Sequence, residues 1–403
     1  MSKPANIKLK ISTILKVYIF LNIYKALLGI IVPKAIITAL SLVLLLGVFF
    51  FILIKELRPS SKVGFIDCFI YLLLLVLFGH LFYSAFFGES TMFIATFSAF
   101  MQLTTPLVVI YIIRKLPVFI TNNLASFLVK IISPMIVVGF IEFLLPIGVR
   151  TRIYTFYSLI TSGSADLDVA YYLGDTSFGG LRLGSLFFEP LTFGFVSSFY
   201  VVFLVSKHYK RWFFPLFVNL MTLGKLPVFS TIISFGSKFL RPLSLFYYIT
   251  AGLVVLAYFV INAQNILLNN PSMANHIIGL AAGIGNGLER PLLGHGLGTS
   301  GYLIYMIYAK ADVIGPFYRE TEFMNGNESG VGVLFYQLGA ILTCMYVFFI
   351  IRIFFEVHKK HSRIMAGCVF AYLISLFLSE SILGVTVVST LFIFSYATFP
   401  RKN

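Results

Sequence analysis

Charge is what this sequence has least of. Only 11% of its 403 residues are Asp, Glu, Lys or Arg, against 59% hydrophobic residues, and the mean hydropathy is +0.95. A water-soluble domain carries about 25% charged residues, so a soluble globular class is excluded. Cysteine is scarce as well: Cys68, Cys344 and Cys368 all fall inside apolar segments and read as small core residues, not as disulfides or metal ligands. HExxH, CxxC, GxSxG and P-loop motifs are missing, which argues against metal, thiol, serine-hydrolase and NTPase chemistry. No metal and no cofactor is expected. The formal net charge of +15 is not accompanied by aromatic-interleaved basic patches, so nucleic acid is not the expected partner. No small-residue cleavage site follows Lys3, Lys8 and Lys10, and the first apolar run is expected to be retained.

What is present is a series of long apolar runs. A hydrocarbon core about 30 Å thick takes roughly 20 apolar residues per helix, and the runs at 11–31, 35–54, 66–87, 91–113, 124–146 and 188–206 fit that length. Basic residues collect in alternate short loops: Lys55, Arg58 and Lys62, then Arg114 and Lys115, then Lys207, Lys210 and Arg211. This is the positive-inside pattern and predicts a cytoplasmic N-terminus. A single span from Trp212 to Leu240 would put Lys238 and Arg241 on the wrong side. Splitting it at Gly224-Lys225-Leu226-Pro227, into half-spans 212–223 and 227–237, restores the alternation, and Gly and Pro suit such a break. Spans 243–262, 331–355, 364–379 and 382–399 follow, the last ending at Arg401 and Lys402. The expected architecture is an all-α polytopic integral membrane protein of about 11–12 transmembrane helices in one domain, 1–403. It has a broken helix near 224–227, large external loops at about 147–187 and 263–329, and both termini cytoplasmic.

Polar residues carry most of the information in such a chain, because charge and irregular backbone are tolerated only where they line water or protein. Lys16, Lys25 and Lys130 read as snorkelling toward an interface, His80 and His276 as hydrogen-bonded structure, and Asp166, Asp168 and Asp175 as solvated loop surface. Glu142 is either an interfacial charge or a partner for Lys130. Glu189 precedes Pro190, which suits a first helical turn; it either caps that helix or faces a polar cavity together with Arg182. Lys225, at the break, either snorkels or binds an anionic group such as a phosphate. In Leu288-Glu-Arg-Pro-Leu-Leu-Gly-His-Gly-Leu-Gly-Thr-Ser-Gly301, Arg290 offers a bidentate fork and the alternating Gly294, Gly296 and Gly298 would let backbone amides approach a ligand. Glu322 and Glu328 stand before the span that begins near Gly330, as caps or as a general base. Gathered in one external cavity, Arg182, Lys225 and Arg290 would hold a diphosphate while Glu189 or Glu328 takes a proton from an alcohol. Those are the requirements of glycosyl transfer from a lipid diphosphate, with Arg290 also stabilising the leaving charge.

Three segments of the middle and C-terminal half carry a family resemblance. Arg182-Leu-Gly-Ser-Leu-Phe-Phe-Glu-Pro resembles the Arg-x-Gly-Ser/Thr element, leading into a span, of the bacterial O-antigen polymerase (Wzy-type) and O-antigen ligase superfamily. Thr222-Leu-Gly-Lys-Leu-Pro-Val-Phe-Ser is similar in placement to its Thr-x-Ser-Arg element, with Lys225 where arginine is usual. Arg290-Pro-Leu-Leu-Gly-His-Gly-Leu-Gly resembles its Pro-x-x-Gly-x-Gly loop, and Arg290 with Gly301 fits the polymerases' spacing of ten residues between an arginine and a glycine. Asn327-Glu-Ser and Gln337-Leu-Gly-Ala-Ile look like the signature ahead of a late span. The ligases carry a histidine there, where this chain has Asn327 and Glu328, and Gly194 falls one residue late for the same spacing from Arg182. The resemblance implies a polysaccharide polymerase of the bacterial inner membrane. It would transfer an undecaprenyl-diphosphate-linked oligosaccharide to the next lipid-linked repeat unit at the periplasmic face, in the lipid bilayer, with a chain-length regulator as a possible partner. Alternatives are a ligase-type glycan transferase and a lipid-linked sugar transporter or flippase.

Overall fold

The computed structural model describes residues 3–56, 64–88, 93–162, 183–222, 224–239, 244–269, 271–299, 329–379 and 383–397. The apolar runs become helices because backbone away from water must satisfy its own N–H and C=O groups, and a helix does so within one segment. In chain order these are α1 (Lys3–Ile23), α2 (Lys25–Leu28), α3 (Lys34–Glu56), α4 (Phe65–Phe87), α5 (Phe93–Lys115), α6 (Val118–Leu144), α7 (Ile147–Ser162), α8 (Pro190–Ser206), α9 (Phe213–Met221), α10 (Lys225–Phe239), α11 (Ser244–Asn269), α12 (Pro271–Glu289), α13 (Gly330–Lys360), α14 (Arg363–Leu378) and α15 (Val385–Tyr396). Among the described residues, α3, α4, α5, α6 and α13 are long and apolar enough to cross a membrane, and α8, α14 and α15 are shorter apolar helices. The chain is an all-α polytopic membrane protein.

The helices form a ring around α15. Successive neighbours are α4, α5, α3, α1, α6, α8, α10, α14 and α13, and α13 closes on α4. Inside, α15 packs against α5, α8, α6, α14 and α1. Its residues from Val387 to Tyr396 are all buried, as expected of a helix that is apolar on every side. Its polar groups are tied to the ring: Tyr18 Oη and Ser389 Oγ lie 2.9 Å apart, and Thr386 donates to the Asn22 carbonyl at 3.0 Å. By contrast α3 and α4 leave Val43, Ile54, Phe65, Leu75, Phe86 and Phe87 exposed, the outer surface of a bundle meant for lipid.

The two ends of the bundle differ. At one, here the foot, Arg114 of α5 pairs with Asp67 of α4 (3.3 Å) and with Glu356 of α13, and Lys115 pairs with Asp67 at 2.8 Å. Tyr396, at the end of α15, donates to the same Glu356 at 2.9 Å, and Lys207 donates to the Ala397 carbonyl at 2.8 Å. Four helices and the central one are thus joined by side chains that are almost fully enclosed. The other end, the head, carries Glu142, Glu189 and Ser329.

The expected break is present: α9 and α10 are separate helices, parted at 222–224. Nine residues of α9 rise only about 13 Å, too short to span. Asn219 secures the turn by donating to the Gly194 carbonyl (3.1 Å) and Ser197 Oγ (2.8 Å) and accepting from Thr231 (3.0 Å). The stretches assigned to external loops contain helices, α7 in 147–187 and α12 in 263–329. One reading needs correction. Cys68 and Cys344 are exposed on the outer surface of the bundle, and only Cys368 is buried.

Candidate functional site

At the head, a short turn delivers Glu189. Residues Ser185–Phe187 form one 3-10 turn, and Ser185 (φ 50°) at its start and Phe188 (φ 52°) just after it are left-handed without being glycine. Each such residue costs about 1–2 kcal/mol, so the turn persists only where its surroundings fix it. Glu142 of α6 does this. Its carboxylate accepts from the amides of Gly184 (3.2 Å) and Ser185 (2.7 Å) and from Tyr154 Oη of α7 (2.5 Å). Ser185 Oγ donates to the Met135 carbonyl at 2.7 Å, and Phe188 stacks on Tyr157 with ring centroids 3.8 Å apart. Of the two readings of Glu142 from the sequence, the pairing with Lys130, which is exposed, gives way to a different role: Glu142 anchors the turn.

Glu189 follows this turn as the N-cap residue of α8, yet its side chain makes no cap hydrogen bond. The carboxylate accepts instead from the Thr192 hydroxyl at 2.7 Å. Burial pushes its pKa above the ordinary carboxylate value, while Thr192 and the positive charges of Lys25 and Lys34 oppose that shift. Lys25 responds in the other direction: burial lowers it, Lys34 lowers it further, and Glu189 opposes both. Lys34 Nζ lies 5.1 Å from the Tyr157 ring centroid. The head therefore brings one carboxyl together with two ammonium groups from the α1–α3 connection. Sequence reading assigned Lys25 to snorkelling and passed over Lys34, since residues so far apart in the chain reveal no shared site.

Lys225 opens α10 and is exposed. An added Cβ on Gly194 of α8 would meet Pro227 of α10 at 2.6 Å, which places the start of α10 just inside the start of α8. Antiparallel α10 and α14 meet at Ser234 and Gly367. Lys225, nine residues earlier on α10, is thus level with Leu376 on α14. The first residue of α13, Gly330, packs on the carbonyls of Leu376 and Ser379. Lys225 and the segment that follows Glu328 are therefore at one height.

The glycine loop after α12 has a structural task. α12 descends beside α13, with Gly283 against Gly332 and Gly287 against Phe335, the small-residue contact that lets helix backbones approach. Helix α13 is broken at Gly339 (φ 77°). The carbonyls this frees accept from the loop: His295 N to Tyr336 O at 2.8 Å and Gly296 N to Gln337 O at 3.2 Å. In return Ile341 N donates to Pro291 O at 3.0 Å, and Leu297 N donates to Ser84 Oγ at 2.8 Å. Gly294 (φ 56°) fits against the backbone of Tyr336–Gly339, where a side chain would collide. The amides of residues 294–297 are all engaged by the protein. Their expected approach to a ligand is replaced by insertion into a helix break. His80 supports the same feature through Nε2 and the Gln337 carbonyl, 3.0 Å apart, in line with its structural reading. Arg290 itself is exposed at the start of the loop.

The groups that act on Glu189 come from α2, α3 and α8, and the contacts of the Arg290 loop from α4, α5 and α13. Arg182, Glu322, Glu328, Asp166, Asp168, Asp175 and Gly301 lie outside the described residues. Comparison with protein-family models and with curated proteins finds no match for this chain.

Proposed function

We propose that this multi-pass membrane protein is a polysaccharide polymerase of the bacterial inner membrane, working at its head on the periplasmic side. It would transfer an undecaprenyl-diphosphate-linked glycan to the next lipid-linked repeat unit. The observation that carries the reading is Glu189: a carboxyl that does not cap its helix, held by burial above the ordinary carboxylate value and acted on by the charges of Lys25 and Lys34. As base, Glu189 takes the proton of the acceptor hydroxyl while that oxygen bonds to the anomeric carbon of the donor. The bond from the anomeric carbon to the diphosphate oxygen breaks, and undecaprenyl diphosphate leaves with the electron pair. Lys25 and Lys34 supply positive charge for that group; Arg182, Lys225 and Arg290 are the cations the sequence offers besides, and Glu328 is the alternative base.

Lys115, Lys207, Lys360 and Arg114 at the foot support cytoplasmic termini and a periplasmic head. The enclosed ion-pair network there favours a site open on one side only over a transport path. The test is surface-polysaccharide banding in a deletion strain complemented with wild type, Glu189→Gln, Arg182→Ala or Arg290→Ala at matched membrane levels. Single-repeat product from Glu189→Gln supports the reading. Wild-type ladders from every variant refute the site, and loss of all surface glycan in the deletion strain points to ligation or transport.

A further inference from the structure

Among the described residues of the head, Arg150 is a buried charged side chain whose surroundings ask for something more. It sits in the first turn of α7 and is only 8% exposed, yet its Nε has no hydrogen-bond partner. A guanidinium offers five donors and keeps its charge at any accessible pH, and enclosing one of them, the Nε–H, without an acceptor is unfavourable. The carboxylate of Glu142 does not supply one. Glu142 is close enough for the two charges to act on each other, but its oxygens are engaged by Tyr154, Gly184 and Ser185.

The helix that carries Arg150 is two-sided. Arg150, Tyr154 and Tyr157 share the buried face at helical spacing, whereas Ile147, Val149, Ile153, Phe156 and Leu159 are exposed. A helix with an apolar outer face, set beside the ends of membrane-crossing helices, has the character of one lying in the bilayer interface. That is the depth of lipid phosphates. A planar fork with free donors matches phosphate oxygens, which accept two parallel N–H bonds.

We infer that Arg150 is the centre of a binding site for a phosphate-bearing headgroup at the bilayer interface, closed on its inner side by Glu142 and Tyr154. The phosphate would come from a lipid-linked diphosphate or from a phospholipid. The inference rests on the surroundings of Arg150 and not on the transfer reaction proposed above.

Full-length protein purified in dodecyl maltoside, a detergent without phosphate, provides the test. Its melting temperature is measured alone, with inorganic pyrophosphate, and with phosphatidylglycerol mixed into the micelles. Wild type is expected to rise by about 2–5 °C at saturating ligand, and Arg150→Gln to lose that rise. A response to pyrophosphate assigns the site to a diphosphate, and a response to phosphatidylglycerol alone assigns it to a phospholipid headgroup. If Arg150→Gln does not fold, Arg150→Lys, which keeps the charge and loses the fork, carries the comparison; a rise cut at least severalfold supports the site. Equal rises in wild type and variant, or no rise in wild type with either ligand, overturn it.

Discussion

Replacing Glu142 tests how the head is built. In Glu142→Ala, three donors lose their acceptor: the amides of Gly184 and Ser185 and the hydroxyl of Tyr154. A buried donor left unsatisfied costs about 1–3 kcal/mol. The turn stores strain at Ser185 and Phe188, and once released it relaxes and recovers part of that loss. The net expectation is about 3–5 kcal/mol, the range for removing one member of a buried charged network. Glu142→Gln keeps one oxygen acceptor and should lose only about 1–3 kcal/mol. Thermal unfolding of the purified protein should rank wild type above Glu142→Gln above Glu142→Ala, the last falling by at least about 5 °C. A double-mutant cycle with Tyr154→Phe should give a coupling of about 1–3 kcal/mol, since the two side chains share one hydrogen bond. Transfer activity should fall with the turn, because a displacement of about 1 Å at Glu189 is enough to cost roughly 100-fold. If Glu142→Ala melts within about 2 °C of wild type and transfers normally, Glu142 does not hold the turn and the account of the head is wrong.

Four further expectations follow from the same geometry. Glu189→Gln should lose about 10²–10⁴-fold in transfer rate and melt higher than wild type at neutral pH. Its folded pKa is raised, so the wild-type contribution is fully present below the unfolded value and is lost as pH rises through the folded one; melting temperature against pH should show that decline in wild type only. Lys34→Met removes a charge that holds the Glu189 pKa down, so the acid limb of the pH–rate profile should move to higher pH; an unmoved limb argues against Lys34 facing the base. Gly294→Ala should cost at least about 1–2 kcal/mol from its left-handed backbone, more with the collision against α13, read as a lower melting temperature. At the foot, Arg114→Met leaves Asp67 and Glu356 without their shared cation and should destabilise by about 3–5 kcal/mol, visible as a lower melting temperature with no change in the affinity of the head for its substrates.

Local chemistry was legible where it depends on nearest neighbours in the chain. Pro190 does open α8, and Gly224 with Pro227 does mark a helix break. Glu189 stood out because a carboxylate among Phe187, Phe188 and Pro190 is costly without a purpose, and it does sit at the N-terminus of α8 without capping it. The glycines at 294–298 were misread, because alternating glycine has the same pattern whether the backbone approaches a ligand or another helix. Only the partner distinguishes the two, and here it is the break at Gly339 some 40 residues later.

Arg150 and Lys34 were not legible at all. A lone basic residue next to an apolar run looks like any interfacial charge until the packing shows whether water reaches it. The sequence by itself determined the class, the order of the main apolar helices, and the basic character of one end. Those follow from the cost of putting charge and unpaired backbone into hydrocarbon, which is paid residue by residue along the chain. Tertiary structure alone decided that α15 is central, that Glu142 holds the Glu189 turn, and that the glycine loop completes a broken helix. Each of these depends on which distant groups satisfy one another's hydrogen bonds, and periodicity in a single helix carries no record of its partner.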